Sequence, residues 1–213
     1  MTAAQSMAAR LTAATIVTFA KVLTGLRALW HGAPQAAPTV YFANHTSHGD
    51  FVLLWAALPS DLRGHTRPVA AADYWAGSAL RRFIGGQVFR ALLIDRQARR
   101  DAPDPVQAMA ARLQAGDSLI LFPEGTRNTG DEVLLPFKSG LYHLAHACPE
   151  VRLVPVWIRN LKRVLPKGSL LPVPLACSVE FGPTLALQPD ESRGDFLARA
   201  RAAVLALRQD GDD

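Results

Sequence analysis

The sequence predicts an α/β fold: a central, mostly parallel sheet flanked by helices, with an N-terminal amphipathic helical segment. Three observations carry this. Short apolar runs of strand length recur at 39–43, 118–122, 153–158 and 176–181. Segments of helical periodicity lie between and around them, at 51–58, 105–114, 139–148 and 196–207, so strands alternate with helices. Hydrophobic residues make up 49% of the 213 residues and charged residues 19%, enough for the core of one compact domain.

Taken in order, residues 7–30 read as a helix. Leu11, Ile16, Phe19, Leu23, Leu26 and Trp30 fall near one face on a 3.6-residue period. That face serves either to pack on the core or to lie in a membrane interface, where Lys21 and Arg27 reach headgroups and Trp30 suits the depth. His31 to Pro38 is a loop. Thr39–Ala43 is a strand, and a polar stretch then leads into the helix from Phe51. Pro68–Ala72 reads as a strand, Tyr74–Ile84 as a helix, and Val88–Ile94 as a β-rich run ending at Asp95-Arg96. Asp104 before Pro105 is an N-cap with a first-turn proline, and Gly116 stops that helix. The acidic tail 210–213 is expected to fray. Residues 1–32 thus form an N-terminal helical segment that either docks on a membrane or packs on the core, and 33–213 the domain that holds the chemistry.

Lys plus Arg is 23 against 18 for Asp plus Glu, a net charge of +5. Such a surface favours anionic partners. The basic clusters are short, Arg81-Arg82 and Arg96 to Arg100, and no nucleic-acid motif is present, so nucleic acid is not an expected partner. Two cysteines, Cys148 and Cys177, lie outside any metal or redox spacing and read as buried free thiols. No uninterrupted apolar stretch reaches the roughly 18–20 residues of a spanning helix, because Arg10, Lys21 and Arg27 interrupt the first segment.

The polar stretch Asn44-His45-Thr46-Ser47-His48-Gly49-Asp50 sits between a strand end and a helix start, a common place for active groups in an α/β sheet. Histidine is the usual general base near neutral pH, and it works best when a carboxylate holds one ring nitrogen. His45 and Asp50 are five residues apart, and a turn leading into a helix brings such a pair together. The same residue types also read as an ordinary helix cap. No further Cys or His completes a four-ligand set with His45, His48 and Asp50, so no metal is expected. Ser47 has no nucleophile-elbow signature.

A second polar stretch, Phe122-Pro123-Glu124-Gly125-Thr126-Arg127-Asn128, follows a buried strand. Gly125 lets backbone approach a ligand, Thr126 offers a hydroxyl, and Arg127 presents a planar fork suited to phosphate. Glu124 either accepts hydrogen bonds from a ligand's hydroxyls or fixes the arginine. An ordinary loop with an internal Glu–Arg pair has the same composition. Arg96 and Lys138 stand where a phosphate pocket would use them.

Together these segments resemble the glycerolipid acyltransferases of the lysophosphatidic acid acyltransferase type, the PlsC-like family. Asn44-His45-(x)4-Asp50 resembles its His-x4-Asp block, and Phe122 to Arg127 its Glu-Gly-Thr-Arg block. Ile94-Asp95-Arg96 is similar to the end of its second block and Val154-Pro155-Val156 to its fourth, and Phe137-Lys138-x-Gly140 also fits. Four blocks in order over residues 38–160 are far more specific than any one alone. The resemblance implies direct acyl transfer from acyl-CoA or acyl-carrier protein to a lysophospholipid hydroxyl, most simply that of 1-acylglycerol-3-phosphate. No other cofactor is implied. It makes His45 the base and Asp50 its orienting partner. Glu124, Gly125, Thr126 and Arg127 would bind the acceptor, with Arg96 and Lys138 neutralising its phosphate. It places the protein at the cytoplasmic face of the membrane as a peripheral or monotopic enzyme. The chain departs from the family in 70–83, where a lysine and a proline are often found. That leaves open another lysolipid acceptor, such as lyso-ornithine lipid, and a non-catalytic lipid-binding module on the same fold.

Overall fold

The structure is a computed structural model that describes residues 5–95, 104–159 and 176–208. Its centre is a seven-stranded sheet of order β1-β7-β6-β2-β5-β3-β4. The strands are β1 (Arg27–Trp30), β2 (Thr39–Ala43), β3 (Thr66–Ala71), β4 (Leu92–Ile94), β5 (Ser118–Leu121), β6 (Arg152–Arg159) and β7 (Ser178–Phe181). Strands β6, β2, β5, β3 and β4 run parallel. β7 is antiparallel to β6, and β1 is parallel to β7, so this edge pair runs against the rest.

Side chains that alternate along the central strands feed two separate cores, as strand geometry requires. Tyr41, Ala43, Ile120, Val154 and Val156 face α1 (Met7–Thr24) and α2 (Asp50–Ala57), meeting Val17, Ala20, Leu53 and Leu54. Val40, Phe42, Leu119, Leu153 and Trp157 face α6 (Pro105–Gln114), α7 (Gly140–Ala147) and α8 (Arg193–Leu205). The sheet is therefore covered on both faces, and its central strand β2 is buried at all five positions.

The N-terminal helix is shorter than its hydrophobic pattern predicts. It ends at Thr24 because Gly25 takes a left-handed conformation at φ +53° and its N–H returns to the Lys21 carbonyl. Arg27–Trp30 is a strand, and Trp30 stacks flat on Phe181 at 3.7 Å. The buried face of α1 is Ala9, Val17, Ala20 and Thr24, with Ile16 packed against the same core, while Leu11 and Phe19 are 61% and 65% exposed. By length and mean hydropathy, 18 residues at 1.3, α1 is long and apolar enough to cross a membrane despite Arg10 and Lys21.

The stretch predicted as one helix at 74–84 is three pieces. These are α4 (Ala72–Ala76), α5 (Ala79–Phe83), and a π-helical turn (Ile84–Val88) that takes the start of the run expected to be strand. Ser78 accepts from the Arg81 amide and restarts the helix. A one-turn helix, α3 (Ser60–Arg63), was not signalled by periodicity. The N-caps Asp104 and Ser192 begin α6 and α8, each accepting a backbone amide. Both cysteines are buried and unbridged. Arg96 and the acidic tail lie outside the described residues.

Candidate active site

The carboxyl ends of β2 and β5 lie side by side in register, Phe42 opposite Leu121. The loops that follow them, 44–50 and 122–128, are therefore neighbours across the top of the sheet. Asn44 leaves the buried end of β2 and finds partners at once. Its amide donates to the Ile158 carbonyl at 3.0 Å and accepts from the Ile158 amide at 2.7 Å, extending the pairing of β2 with β6.

The next turn wraps around Asp50, a fully buried residue at the start of α2. One carboxylate oxygen, Oδ2, accepts from the Thr46 amide at 2.6 Å, the Ser47 amide at 2.8 Å and the His45 ring Nδ1 at 2.9 Å. A negative charge is favoured at this helix start by the amides and the helix dipole. The contact with Asp50 assigns the ring proton to Nδ1, which leaves Nε2 as the basic nitrogen. The His45 ring also stacks on Phe122 at 4.2 Å and 19°, so its orientation is set from two sides.

The second loop braces the first. Glu124 is 1% exposed. Its Oε1 accepts from the His45 backbone amide at 2.6 Å and its Oε2 from the Leu135 amide at 2.9 Å. Burial pushes its carboxyl above the usual range, with the two amides pulling back. The Asn128 amide donates to the His45 carbonyl at 2.6 Å. His45 is thus held through its ring, its N–H and its C=O.

A cavity of about 440 Å³ opens over these loops. His45, His48, Thr126 and Arg127 contribute to its polar part, and Phe51, Val69, Trp75, Ile94, Met109 and Leu121 to an apolar wall. Pockets of this size and mixture take small ligands and lipid tails. His48 stacks on Tyr74 at 5.4 Å, and the Arg81 guanidinium lies over the Tyr74 ring at 4.6 Å. Burial and then the Arg127 guanidinium hold His48 below its ordinary value. Among the described residues no group of three or more His, Cys, Asp or Glu side chains is placed to hold a metal.

The structure brings His45, Asp50, Gly125, Thr126 and Arg127 to one place. Gly125 has φ +71°, and a Cβ there would come within 3.2 Å of the Lys138 stem, so the loop passes close under Lys138, whose own side chain is exposed. Glu124 departs from the expectation that it contacts an acceptor: both its oxygens are taken by backbone amides beneath the cavity. Asn44 and Asn128, 3% and 4% exposed, brace the site although no sequence motif assigns them a part. The signal was there, since a buried amide side chain beside a strand end must find partners. Behind Asp50, burial, with Asp50 itself adding to it, pushes the Cys177 thiol up to about 11, so it stays protonated at neutral pH.

The sequence profile of the family described as Acyltransferase matches residues 30–159. The chain belongs to this acyltransferase family. Among relatives, 1-acyl-sn-glycerol-3-phosphate acyltransferase alpha of Ovis aries is 34% identical over 180 residues, covering 80% of this chain and 59% of that protein. Lyso-ornithine lipid O-acyltransferase of Brucella abortus is 33% identical over 113 residues, covering 53% of this chain and 39% of that protein. The chain therefore spans about three fifths of the length of the Ovis aries relative. The crystal structure of the 1-acyl-sn-glycerophosphate (LPA) acyltransferase PlsC from Thermotoga maritima matches with a TM-score of 0.69 at 19% identity, over 94% of this chain and 80% of that one. That likeness establishes the shared fold.

Proposed function

We propose that this acyltransferase moves a fatty acyl chain from a thioester donor, acyl-CoA or acyl-carrier protein, to the hydroxyl of a lysophospholipid, first of all 1-acylglycerol-3-phosphate, giving phosphatidic acid. The observation that carries this reading is the His45–Asp50 pair opening onto a cavity that also holds Arg127. A base held by a carboxylate suits deprotonation of a hydroxyl, and a guanidinium beside it suits a phosphate. The name of the Ovis aries relative supports the same acceptor class.

In this mechanism His45 Nε2 takes the acceptor hydroxyl proton as the oxygen attacks the thioester carbonyl. The new C–O bond forms a tetrahedral intermediate. Its collapse breaks the C–S bond, and the thiolate takes the proton back from the imidazolium, which Asp50 stabilises meanwhile. Arg127 and Thr126 bind the acceptor head, and Lys138 and Arg96 are the further cations that the family resemblance assigns to its phosphate. The apolar wall takes an acyl chain. No other cofactor is needed for this balance.

The reaction takes place at the cytoplasmic face of the membrane, with the protein attached in the plane of the interface. α1 packs its buried face on the domain while Met7, Leu11, Phe19 and Val22 stay exposed, an arrangement suited to lying on a bilayer.

A second acceptor is favoured by one observation. Asp73 lines the cavity, and a carboxylate there suits an amine-bearing head such as that of lyso-ornithine lipid. A thiol-release assay with acyl-CoA decides between them. Fastest turnover is expected with 1-acylglycerol-3-phosphate against glycerol 3-phosphate, lyso-ornithine lipid and other lysophospholipids. Release that is equal with and without any acceptor would replace acyl transfer by thioester hydrolysis.

A further inference from the structure

We infer that the α4–α5 segment is a second membrane-contacting surface, which together with α1 seats the mouth of the cavity on an anionic bilayer. Its purpose rests on the acyl-transfer reading above, but the surface features stand by themselves. Leu80 at the start of α5 is 66% exposed and is followed directly by Arg81 and Arg82. One exposed leucine needs no explanation. This one belongs to a larger surface.

On one side the surface is the rim of the cavity. Tyr74 is 42% exposed, carries Arg81 over its ring and stacks on His48, and both rings line the cavity. On the other side it leads to α1. The chain runs from α5 into the π-helical turn, α1 packs on that turn, and the Gln5 side-chain amide donates to the Gln87 and Val88 carbonyls at 2.9 Å each. The nearby end of α1 presents Met7, 70% exposed, and Leu11. Large apolar side chains and arginines therefore follow one another from α1, past the turn, to the cavity.

The occupant is a lipid surface by its chemistry. Anionic headgroups match Arg10, Arg81 and Arg82, while Asp73 is the one acid on α4 or α5. Arginine stems bury along apolar surface while their heads stay at the interface. A lysolipid leaving the bilayer would reach Arg127 without crossing water.

The test is flotation of the full chain with phosphatidylcholine vesicles, with and without phosphatidylglycerol. Wild type is expected to favour the anionic vesicles and to lose that preference at high salt. Leu80→Asp with Arg82→Glu should lower the partition onto anionic vesicles about tenfold or more. Turnover of a short-chain lysophospholipid below its micelle concentration should stay unchanged, since neither residue belongs to the site. Should that variant unfold, Leu80→Ser with Arg82→Gln repeats the measurement. Phe19→Glu probes α1 separately. A partition within about twofold of wild type overturns the inference and leaves attachment to α1. Unchanged partition with slower turnover from an acyl-carrier-protein donor overturns it too, and assigns the patch to that acidic protein. Vesicle binding is read without turnover, so a failure of the acyl-transfer reading is seen separately.

Discussion

The Glu124 carboxylate accepts the backbone amide of His45 at 2.6 Å, although the two residues are 79 apart in sequence. The second signature loop therefore holds the first in place from beneath. Its other oxygen ties the Leu135 amide, so one buried side chain joins three segments of chain.

Glu124→Gln should slow turnover by displacing His45 while leaving the acceptor KM nearly unchanged. The amide nitrogen of the new side chain would face one of two backbone donors, which costs about 1–3 kcal/mol in a buried setting. The pH dependence of stability carries a second signature. Burial raises the folded-state carboxyl above its ordinary 4.5, so the folded protein binds this proton more tightly than the unfolded chain. That part of the stability is full below 4.5 and is lost as pH rises through the folded value. Urea denaturation across this window should show the slope in wild type and lack it in the variant. A variant with unchanged kcat and raised acceptor KM would return Glu124 to the acceptor.

Asp50→Asn tests the tautomer. An asparagine whose amide faces Nδ1 would move the ring proton to Nε2 and remove the base. Turnover should fall about 10²–10⁴-fold, as should that of His45→Ala. Asp50→Asn should also lose stability, because three donors converge on one Asp50 oxygen. Turnover within tenfold of wild type in a folded His45→Ala protein would end the general-base role.

Arg127→Ala should raise the acceptor KM about 10–100-fold and leave the donor KM within about twofold, the scale of a charge-assisted contact to phosphate. The same substitution has a spectroscopic mark. Arg127 is one of the cations that hold His48 below its ordinary 6.5, so its removal should move the His48 titration upward in an NMR experiment. A KM effect confined to the donor would transfer Arg127 to the thioester's binding site.

The central sheet and the two signature loops were legible because their signals are local. β2 and β5 are apolar runs that end directly in polar blocks, and buried parallel strands look like that. The His45–Asp50 contact was legible as a turn leading into a helix. What escaped was long-range or punctuated by glycine. Gly25 cuts the first helix, but the apolar period continues through it to Trp30, so β1 was hidden in a helical pattern. The duty of Glu124 depends on packing two loops from distant parts of the chain, and composition alone could not tell a brace from a ligand contact. The buried face of α1 was hidden in the same way, because Leu11 and Phe19 belong to the hydrophobic pattern yet point outward, while Ala9 and Ala20 are buried.

The π-helical turn offers the last test. A Cβ on Gly85 would meet the Trp75 ring at 2.6 Å, whereas one on the adjacent Gly86 meets nothing within 4 Å. Trp75 is 7% exposed, contacts Phe51 and Phe89 edge-on, and forms part of the apolar cavity wall. Gly85→Ala must push this ring or the turn aside. Overpacking of this kind costs about 1–3 kcal/mol, and the displaced indole narrows the space for an acyl chain. Thermal unfolding should show the loss for Gly85→Ala and little change for Gly86→Ala. In a donor series, Gly85→Ala should shift the preference toward shorter chains. Equal stability of the two variants would mean that the turn yields without moving Trp75, and an unchanged chain-length profile would remove Trp75 from the acyl wall.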